Sequence, residues 1–209
     1  VLGSIPEEIG NLKLQKVLQL PGCKFTGTIP WSIGGLKSLK ELDISENNFN
    51  AELPTSVGEL GNLTRLFAKV LGSVGAYQKS LVLQEAYAHK SVFNAFTGSI
   101  PEELADLEAI ATFFVEGLSG HIPDWIRNRA SVRSISLAEN MFSGPLPVLP
   151  LQHLVSFSAE TNQLSGSIPA ENVKPTLFSS SILDKSNTIY CEDQAAGSAD
   201  SYFFPFFHR

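Results

Sequence analysis

Paired carboxylates are the residues of this sequence that most readily suggest chemistry, because two acids can share the roles of general acid and base. Glu7-Glu8 and Glu102-Glu103 are two such pairs. Adjacent residues of a helix point in different directions, so neither pair is well placed to flank one substrate. Each pair also follows an Ile-Pro dipeptide, at the start of a helical turn where the helix dipole favours negative charge. We therefore interpret both pairs as structural.

Motifs of the common catalytic classes are absent from the sequence. It holds no Gly-x-Ser-x-Gly, His-Glu-x-x-His, Gly-x-x-x-x-Gly-Lys-[Ser/Thr] or Gly-x-Gly-x-x-Gly, and neither His-Arg-Asp nor Asp-Phe-Gly of a kinase. The histidines show no metal-ligand spacing; they are His89, His121, His153 and His208. The run at residues 179–181 is three serines without a neighbouring base, which predicts a loop. The sequence thus predicts a protein that is not an enzyme, with no metal site and no cofactor.

Composition narrows the class of partner. The chain has 209 residues, of which 43% are hydrophobic, and its 15 basic and 21 acidic residues give a net charge of −6. These values are typical of a folded domain. Because no cluster of Lys and Arg is present, we do not expect a nucleic-acid partner. No apolar run approaches the roughly 20 residues that cross a bilayer, so no membrane span is predicted in this chain.

A motif of four residues recurs along the chain. Its copies are Gly3-Ser-Ile-Pro6, Gly27-Thr-Ile-Pro30, Ala51-Glu-Leu-Pro54, Gly98-Ser-Ile-Pro101, Gly120-His-Ile-Pro123, Gly144-Pro-Leu-Pro147 and Gly166-Ser-Ile-Pro169. Successive copies begin 24, 24, 47, 22, 24 and 22 residues apart. The interval of 47 divides into 24 and 23 if Gly75 marks a decayed copy. We therefore predict an irregular repeat over residues 67–93.

Each period carries apolar residues at fixed places, as in Leu39-x-x-Leu42-x-Ile44-x-x-Asn47-x-Phe49. Alternation over the first part predicts a short strand that buries its leucines. The asparagine lies where the chain turns inward, and its amide can satisfy buried backbone groups of neighbouring coils. Glycine permits the turn that follows, and proline suits the first position of a helical turn. The predicted ladder of such side chains consists of Cys23, Asn47, Asn94, Asn140 and Asn162.

This template resembles the leucine-rich repeat. We therefore predict an α/β repeat solenoid with short parallel strands on its concave face and helical or 3-10 turns on its convex face. Residues 1–170 form the predicted repeats, and residues 171–209 form a degenerate C-terminal tail in which Asn187 is a vestige of the ladder. Cys23 and Cys191 are about seven coils apart, roughly 30 Å at the usual strand spacing, so no disulfide is expected between them unless the tail folds back across the stack.

Strand residues that point outward form the predicted binding surface, because solenoids bind partners on such extended faces. Their polar mixture suits a protein or peptide, although each could also be no more than a solvated residue. The predicted contacts are Gln19, Glu41, Asp43, Ser45, Arg65, Phe67, Lys69, Ser134, Ser136, Ser156, Ser158 and Glu160.

Asn62-Leu63-Thr64 is the single Asn-x-[Ser/Thr] sequon of the sequence and predicts surface glycosylation at Asn62.

The Gly-x-Ile-Pro element resembles the plant-specific class of these repeats, found in the ectodomains of plant receptor-like kinases. Three segments, Phe25–Leu39, Asn50–Leu60 and Pro147–Ala159, are similar to the multiple-sporocyte receptor kinases of grasses. The resemblance covers residues 1–66 and 94–170. It implies an ectodomain that binds a small secreted protein in anther cell-fate signalling, with a co-receptor as a further candidate partner.

The same resemblance implies a place on the extracellular face of the plasma membrane for the parent family. This chain lacks the signal peptide, cysteine-bearing caps, transmembrane helix and kinase domain of that family. We interpret it as a fragment that is either secreted or of unknown location. Two other functions are compatible with the sequence: a soluble secreted inhibitor or decoy, and a nonfunctional truncated remnant.

Overall fold

The computed structural model describes residues 3–69, 94–150, 152–172 and 186–190 of the chain. Within these residues the backbone winds through coils that each contribute a short strand to one main sheet. The strands in chain order are β1 (Val17–Gln19), β2 (Thr26–Gly27), β3 (Glu41–Asp43), β4 (Asn48–Phe49), β5 (Arg65–Ala68), β6 (Thr112–Val115), β7 (Ser119–Gly120), β8 (Ser134–Ser136), β9 (Met141–Gly144), β10 (Ser156–Ser158), β11 (Gln163–Ser167) and β12 (Thr188–Tyr190).

The main sheet contains six parallel strands in the order β1-β3-β5-β6-β8-β10. Pairing is parallel because every coil re-enters the sheet in the same direction. The central residues of neighbouring strands lie opposite one another, as Leu18 does with Leu42 and Leu42 with Leu66. These leucines are buried in the core that runs through all the coils. The structure confirms the predicted parallel strands.

Short 3-10 helices form the other side of the coils. They span Glu7–Asn11, Trp31–Gly35, Thr55–Glu59, Glu102–Asp106, Asp124–Asn128 and Ala170–Asn172. The prolines that precede the first five have φ between −75° and −59°, as the first helical turn requires. Both glutamate pairs are exposed in the first turns of these helices. The predicted 3-10 turns on the convex face are confirmed.

Further strands follow the main sheet in most of the described coils, which the repeat pattern did not predict. β2 pairs with β4, and β7, β9, β11 and β12 form a second parallel sheet. Gly27, Gly120, Gly144 and Gly166 lie in these strands with φ between 74° and 93°. Other residues adopt this region only at a cost in energy, so the backbone conformation explains the glycine of the repeated motif.

Asparagine side chains connect successive coils in the interior, and Asn140 shows the arrangement. Its Nδ2 donates to the carbonyl oxygens of Val115, Leu137 and Ala138 over 2.8–2.9 Å. Its Oδ1 accepts a hydrogen bond of 2.8 Å from the backbone N–H of Leu118 in the preceding coil. One side chain thus satisfies four buried backbone groups in two coils.

The same pattern recurs along the stack. At the ladder position of other coils, Oδ1 accepts from a backbone N–H of the preceding coil and Nδ2 donates to nearby carbonyl oxygens. The residues at this position are Asn47, Asn94, Asn162 and Asn187. All four are buried. Cys23 differs, since it is half-buried and its Sγ lies 3.6 Å from the carbonyl oxygen of Pro21.

The longest interval between motif copies corresponds to one step of the stack rather than two. β5 hydrogen-bonds directly to β6, with Arg65 opposite Thr112, although 47 residues separate the two. In the interior, Phe49 N donates to Asn94 Oδ1, so Asn94 follows Asn47 in the ladder. The predicted division of this interval into two successive coils is therefore wrong. Gly75 and the rest of residues 70–93 lie outside the described residues.

The coil of β5 is longer than the coil of β3, and the sequence shows where its additional residues lie. Thirty-three residues separate Arg65 from Gly98, against 10 between Glu41 and Ala51 at equivalent positions. About 23 residues are therefore inserted into this coil, between the end of its strand at Ala68 and its ladder residue.

The coil of β6 is instead shortened. Eight residues separate Thr112 from Gly120, against 10 between Ser134 and Gly144. Glu116 consequently occupies the place of the ladder asparagine, where its side chain is buried. The interval of 22 residues between Gly98 and Gly120 thus reflects a deletion of two residues after the strand.

The stack continues past the predicted boundary at residue 170. β12 pairs with β11, and Asn187 Oδ1 accepts a hydrogen bond of 2.9 Å from Leu164 N. Residues 179–181, Cys191 and His208 lie in parts of the tail that the structure does not describe. Among the described residues no helix is long and apolar enough to cross a membrane.

Candidate binding face

The outward residues of the main sheet align in columns across the six strands, because paired residues stack directly above one another. The first column contains Val17, Glu41, Arg65, Thr112, Ser134 and Ser156. The second contains Gln19, Asp43, Phe67, Phe114, Ser136 and Ser158. The predicted contacts on these strands therefore lie on one face, which we call the concave face. Ser45, Lys69 and Glu160 follow the strands at its margin.

Polar contacts hold the N-terminal part of this face together. Glu41 is 7% exposed and accepts hydrogen bonds of 2.6 Å from Gln19 Nε2 and from Arg65 Nε, and it forms an ion pair with Arg65. The hydrogen bond from Gln19, with the hydrogen bond and charge of Arg65, lowers the pKa of Glu41 although burial opposes this. Glu41 therefore positions its neighbours across three strands and offers little surface to a ligand.

The lowered pKa of Glu41 predicts a pH dependence of stability. A carboxyl whose pKa is lower in the folded protein stabilises it above the unfolded pKa of about 4.3, and this contribution is lost as the pH falls through the folded pKa. We expect Glu41→Gln to lose less unfolding free energy than the wild type between about pH 6 and pH 3, measured by urea denaturation. Glu108→Gln, at an exposed position, is the control and should follow the wild type. Equal losses in all three proteins would contradict the role of Glu41.

An aromatic–cation cluster, formed by Phe67, Lys69 and Phe114, lies on the two middle strands of the face, β5 and β6, with Lys69 just after the end of β5. The rings of Phe67 and Phe114 meet edge to face with centroids 5.5 Å apart. Lys69 Nζ lies 5.1 Å from the centroid of the Phe114 ring, in cation–π geometry. All three side chains are half-buried. The cluster offers apolar surface beside a positive charge.

Phe114 and Thr112 belong to the concave face but are missing from the predicted contacts. Their coil lacks the asparagine that marks the strand in other coils, because the two-residue deletion places Glu116 there. The spacing of the repeat could nonetheless have identified this strand. Thr112-Phe113-Phe114-Val115 lies 22 residues, one repeat period, before the strand segment Ser134-Ile135-Ser136-Leu137.

A serine array covers the C-terminal part of the face and consists of Ser134, Ser136, Ser156 and Ser158. Ser158 Oγ donates to Ser136 Oγ over 3.0 Å, and all four side chains are half-buried. Each hydroxyl can both donate and accept, so the array can pair with either group of a peptide backbone.

The remaining predicted residues lie at the margins of the face or away from it. Asp43 Oδ1 accepts from Ser45 N over 3.0 Å, and Ser45 is buried with its Oγ 3.4 Å from Lys69 N. Glu160 is half-buried at the end of β10. Asn62 is exposed between the convex helix and β5, and its Nδ2 donates to the carbonyl oxygen of Lys37.

Metal-ligating residues do not gather in the described part of the chain. No group of three or more His, Cys, Asp or Glu there could hold a metal ion. His121 and His153 are exposed, and His89 lies outside the described residues.

Residues 38–60 match the family described as Leucine Rich Repeat. The parallel strands, convex 3-10 helices and asparagine ladder extend this pattern well beyond the matched coil. The chain is a leucine-rich-repeat solenoid. The solenoid resembles the ectodomains of plant leucine-rich-repeat receptor kinases in fold and, locally, in sequence, as the next comparisons show.

Two curated relatives match short stretches. Receptor-like protein 48 of Arabidopsis thaliana is 40% identical over 52 residues, and the leucine-rich repeat receptor protein kinase MSL1 of Oryza sativa subsp. japonica is 56% identical over 53 residues. Each match covers 25% of the solenoid chain, but only 6% and 4% of these relatives.

Solved structures extend the similarity across the solenoid. The Arabidopsis receptor kinase HAESA, in complex with the peptide hormone IDA and the co-receptor SERK1, matches 90% of the chain with 28% identity and a TM-score of 0.73. PEPR1 with AtPEP1 matches 91% with 28% identity and a TM-score of 0.66. The chain covers 28% and 24% of those two chains. A plant ice-binding protein matches 90% with 26% identity and a TM-score of 0.67, and 55% of that chain is covered.

Proposed function

We propose that this solenoid is a non-enzymatic recognition module that binds a small secreted protein or peptide across its concave face. The observation that carries the proposal is the aromatic–cation cluster on the two middle strands of that face, with the serine array beside it. Aromatic residues, phenylalanine among them, are enriched at the cores of protein interfaces. A chain folded around its own core gains little from half-exposed phenylalanines at strand positions that are polar in the other coils.

The similar structures support this class of partner. HAESA is described in complex with the peptide hormone IDA and the co-receptor SERK1, and PEPR1 with AtPEP1. We infer by analogy that the solenoid acts outside the cell, with a co-receptor as a second candidate partner. The plant ice-binding protein shows that the fold also serves other purposes. A flat, repeating hydroxyl surface would suit a crystal lattice, whereas here hydroxyl groups line only the C-terminal part of the face and stop at the aromatic–cation cluster.

A finer proposal follows from the sequence resemblance to the multiple-sporocyte receptor kinases. The 56% identity with the rice receptor kinase MSL1 over 53 residues supports it. On this proposal the ligand is a small secreted protein that controls anther cell fate. A soluble inhibitor or decoy would use the same face, and differs from a receptor in having no membrane-anchored parent protein.

Isothermal titration of grass anther secreted proteins, and of peptides derived from them, tests the proposal. We expect at least one ligand to bind the wild type and to lose about tenfold or more in affinity when Ser136→Arg and Ser158→Arg place bulk on the concave face. The control carries Asp106→Arg and Glu108→Arg on the convex side and should bind within about twofold of the wild type. Absence of any ligand, or equal losses in both variants, would contradict the proposal. A wild type that does not unfold cooperatively would instead support a nonfunctional remnant.

A further inference from the structure

The position and the chemistry of the aromatic–cation cluster indicate which ligand side chains would bind there. β5 and β6 are the third and fourth of the six strands of the main sheet. Phe67 and Phe114 stand in a column that is polar in the other four strands. An apolar ligand side chain packed on these rings would remove their exposed surface from water, which is favourable in proportion to the area buried.

Lys69 adds a positive charge to the cluster, and no carboxylate of the described residues pairs with it. Arg65, the cation within β5, is already paired with Glu41. In the described ranges no carboxylate forms an ion pair with Lys69, whose ammonium instead lies 5.1 Å from the ring centroid of Phe114. An anionic group of a ligand beside that ring would therefore meet a positive charge without displacing an existing partner.

Acidic residues of the neighbouring coils form no ion pair with Lys69 in the described ranges. Glu46, whose backbone N–H donates to the carbonyl oxygen of Lys69, has a carboxylate oxygen near Gly22 of the preceding coil. Glu41 is committed to Gln19 and Arg65, and Asp43 Oδ1 accepts from the backbone of Ser45. Glu116, opposite Lys69 in the continued register of β5 and β6, is buried, and no ion pair joins it to Lys69.

The concave face continues on both sides of the cluster. β1 and β3 carry Gln19 and Asp43 on one side, and the serine array lies on the other. A ligand that uses this length must run through the cluster rather than end at it, so the anionic group belongs to a side chain within the ligand and not to its C terminus.

We propose that Lys69 binds an internal Asp or Glu side chain of an extended ligand segment, while a neighbouring apolar side chain of the ligand packs on Phe67 and Phe114. This inference rests on the proposed recognition function and specifies the ligand of the same face. The serine hydroxyls then pair with the ligand backbone as it crosses β8 and β10.

Selection from a random library of peptides about twelve residues long tests the inference, with each peptide attached to its bead through the C terminus so that no terminal carboxylate is free. We expect selected peptides to contain Asp or Glu within two positions of Leu, Ile, Phe or Trp. Replacing that acid by its amide, or Lys69 by Gln, should each lower the affinity about tenfold. The two changes together should lower it hardly further, because each removes the same interaction.

Two variants serve as controls. Lys69→Arg keeps the cation and should bind within about threefold of the wild type, and so should Lys40→Gln, which removes an exposed lysine just before β3. Selected peptides that lack an acid, or that bind Lys69→Gln as tightly as the wild type, overturn the inference and leave the recognition function standing. A library that yields no binding peptide overturns the recognition function and the inference with it.

Discussion

Asn140→Ala is expected to destabilise the protein by about 3 kcal/mol, the upper part of the range for leaving buried polar groups without partners. The substitution removes the acceptor of Leu118 N and the donor to three carbonyl oxygens. Asn140 is buried, so water cannot replace these hydrogen bonds without opening the stack. Equilibrium unfolding in urea, followed by circular dichroism, measures the change.

The matched control for Asn140→Ala is Asn50→Ala, which removes the same amide from an exposed position. Its effect should stay within about 0.5 kcal/mol, as for most surface substitutions. Similar effects of the two substitutions would mean that the ladder contributes little to stability. A smaller slope of unfolding with urea in Asn140→Ala, by contrast, would indicate that the stack has begun to open in two parts.

Gly58→Ala is expected to destabilise the protein by about 3 kcal/mol, because it places a methyl group where the next convex helix already lies. A Cβ on Gly58 would overlap the carbonyl oxygen of Glu103 and lie 2.7 Å from its carbonyl carbon. These are backbone atoms, so relief requires the helices Thr55–Glu59 and Glu102–Asp106 to separate. Thermal or urea unfolding of the variant measures the effect.

Gly61→Ala is the control for this substitution, three residues further along the same coil. A Cβ at Gly61 would meet nothing within 4 Å, and its φ is not in the left-handed region. We expect no loss of stability, or a gain of up to about 1 kcal/mol from the reduced freedom of the unfolded chain. A loss at Gly61 as large as that at Gly58 would show that glycine matters here for a reason other than close packing.

The repeat itself could be predicted because each structural position demands one kind of residue. Leu42 and Ile44 are buried by alternation, Asn47 supplies the amide, and Pro54 starts the next convex helix. These demands recur in most coils, so the register of the repeat could be followed through copies such as Leu154–Pro169. The second sheet was not predicted because its strands are joined by backbone hydrogen bonds. Most residue types can form these bonds, so the strands leave no distinct pattern in the sequence.

The interval after Ala51 was misinterpreted for a physical reason. The inserted residues number about one period, so spacing alone cannot separate an insertion from an additional coil. Only the direct pairing of Arg65 with Thr112 makes the distinction.

The candidate face was predicted in outline but not in detail. The columns follow from strand alternation, which the sequence reveals. Whether Glu41 is available to a ligand depends on Gln19 and Arg65, which lie 22 and 24 residues away and meet it only in the folded stack. Phe114 was not predicted as a contact because its coil has Glu116 in place of the ladder asparagine.

The glycines of the convex helices also bear on the curvature of the molecule. Gly10, Gly34 and Gly58 stand at equivalent positions where a side chain would collide with the next helix, and the later helices carry Ala105 and Arg127 there instead. Strands across the main sheet keep a spacing of about 4.8 Å whatever lies behind them. Bulkier residues must therefore fan the later coils apart on their outer rim. The arc should consequently be shallow near the N-terminal end and tighten toward the serine array, so that a straight ligand segment would touch the two halves at different angles.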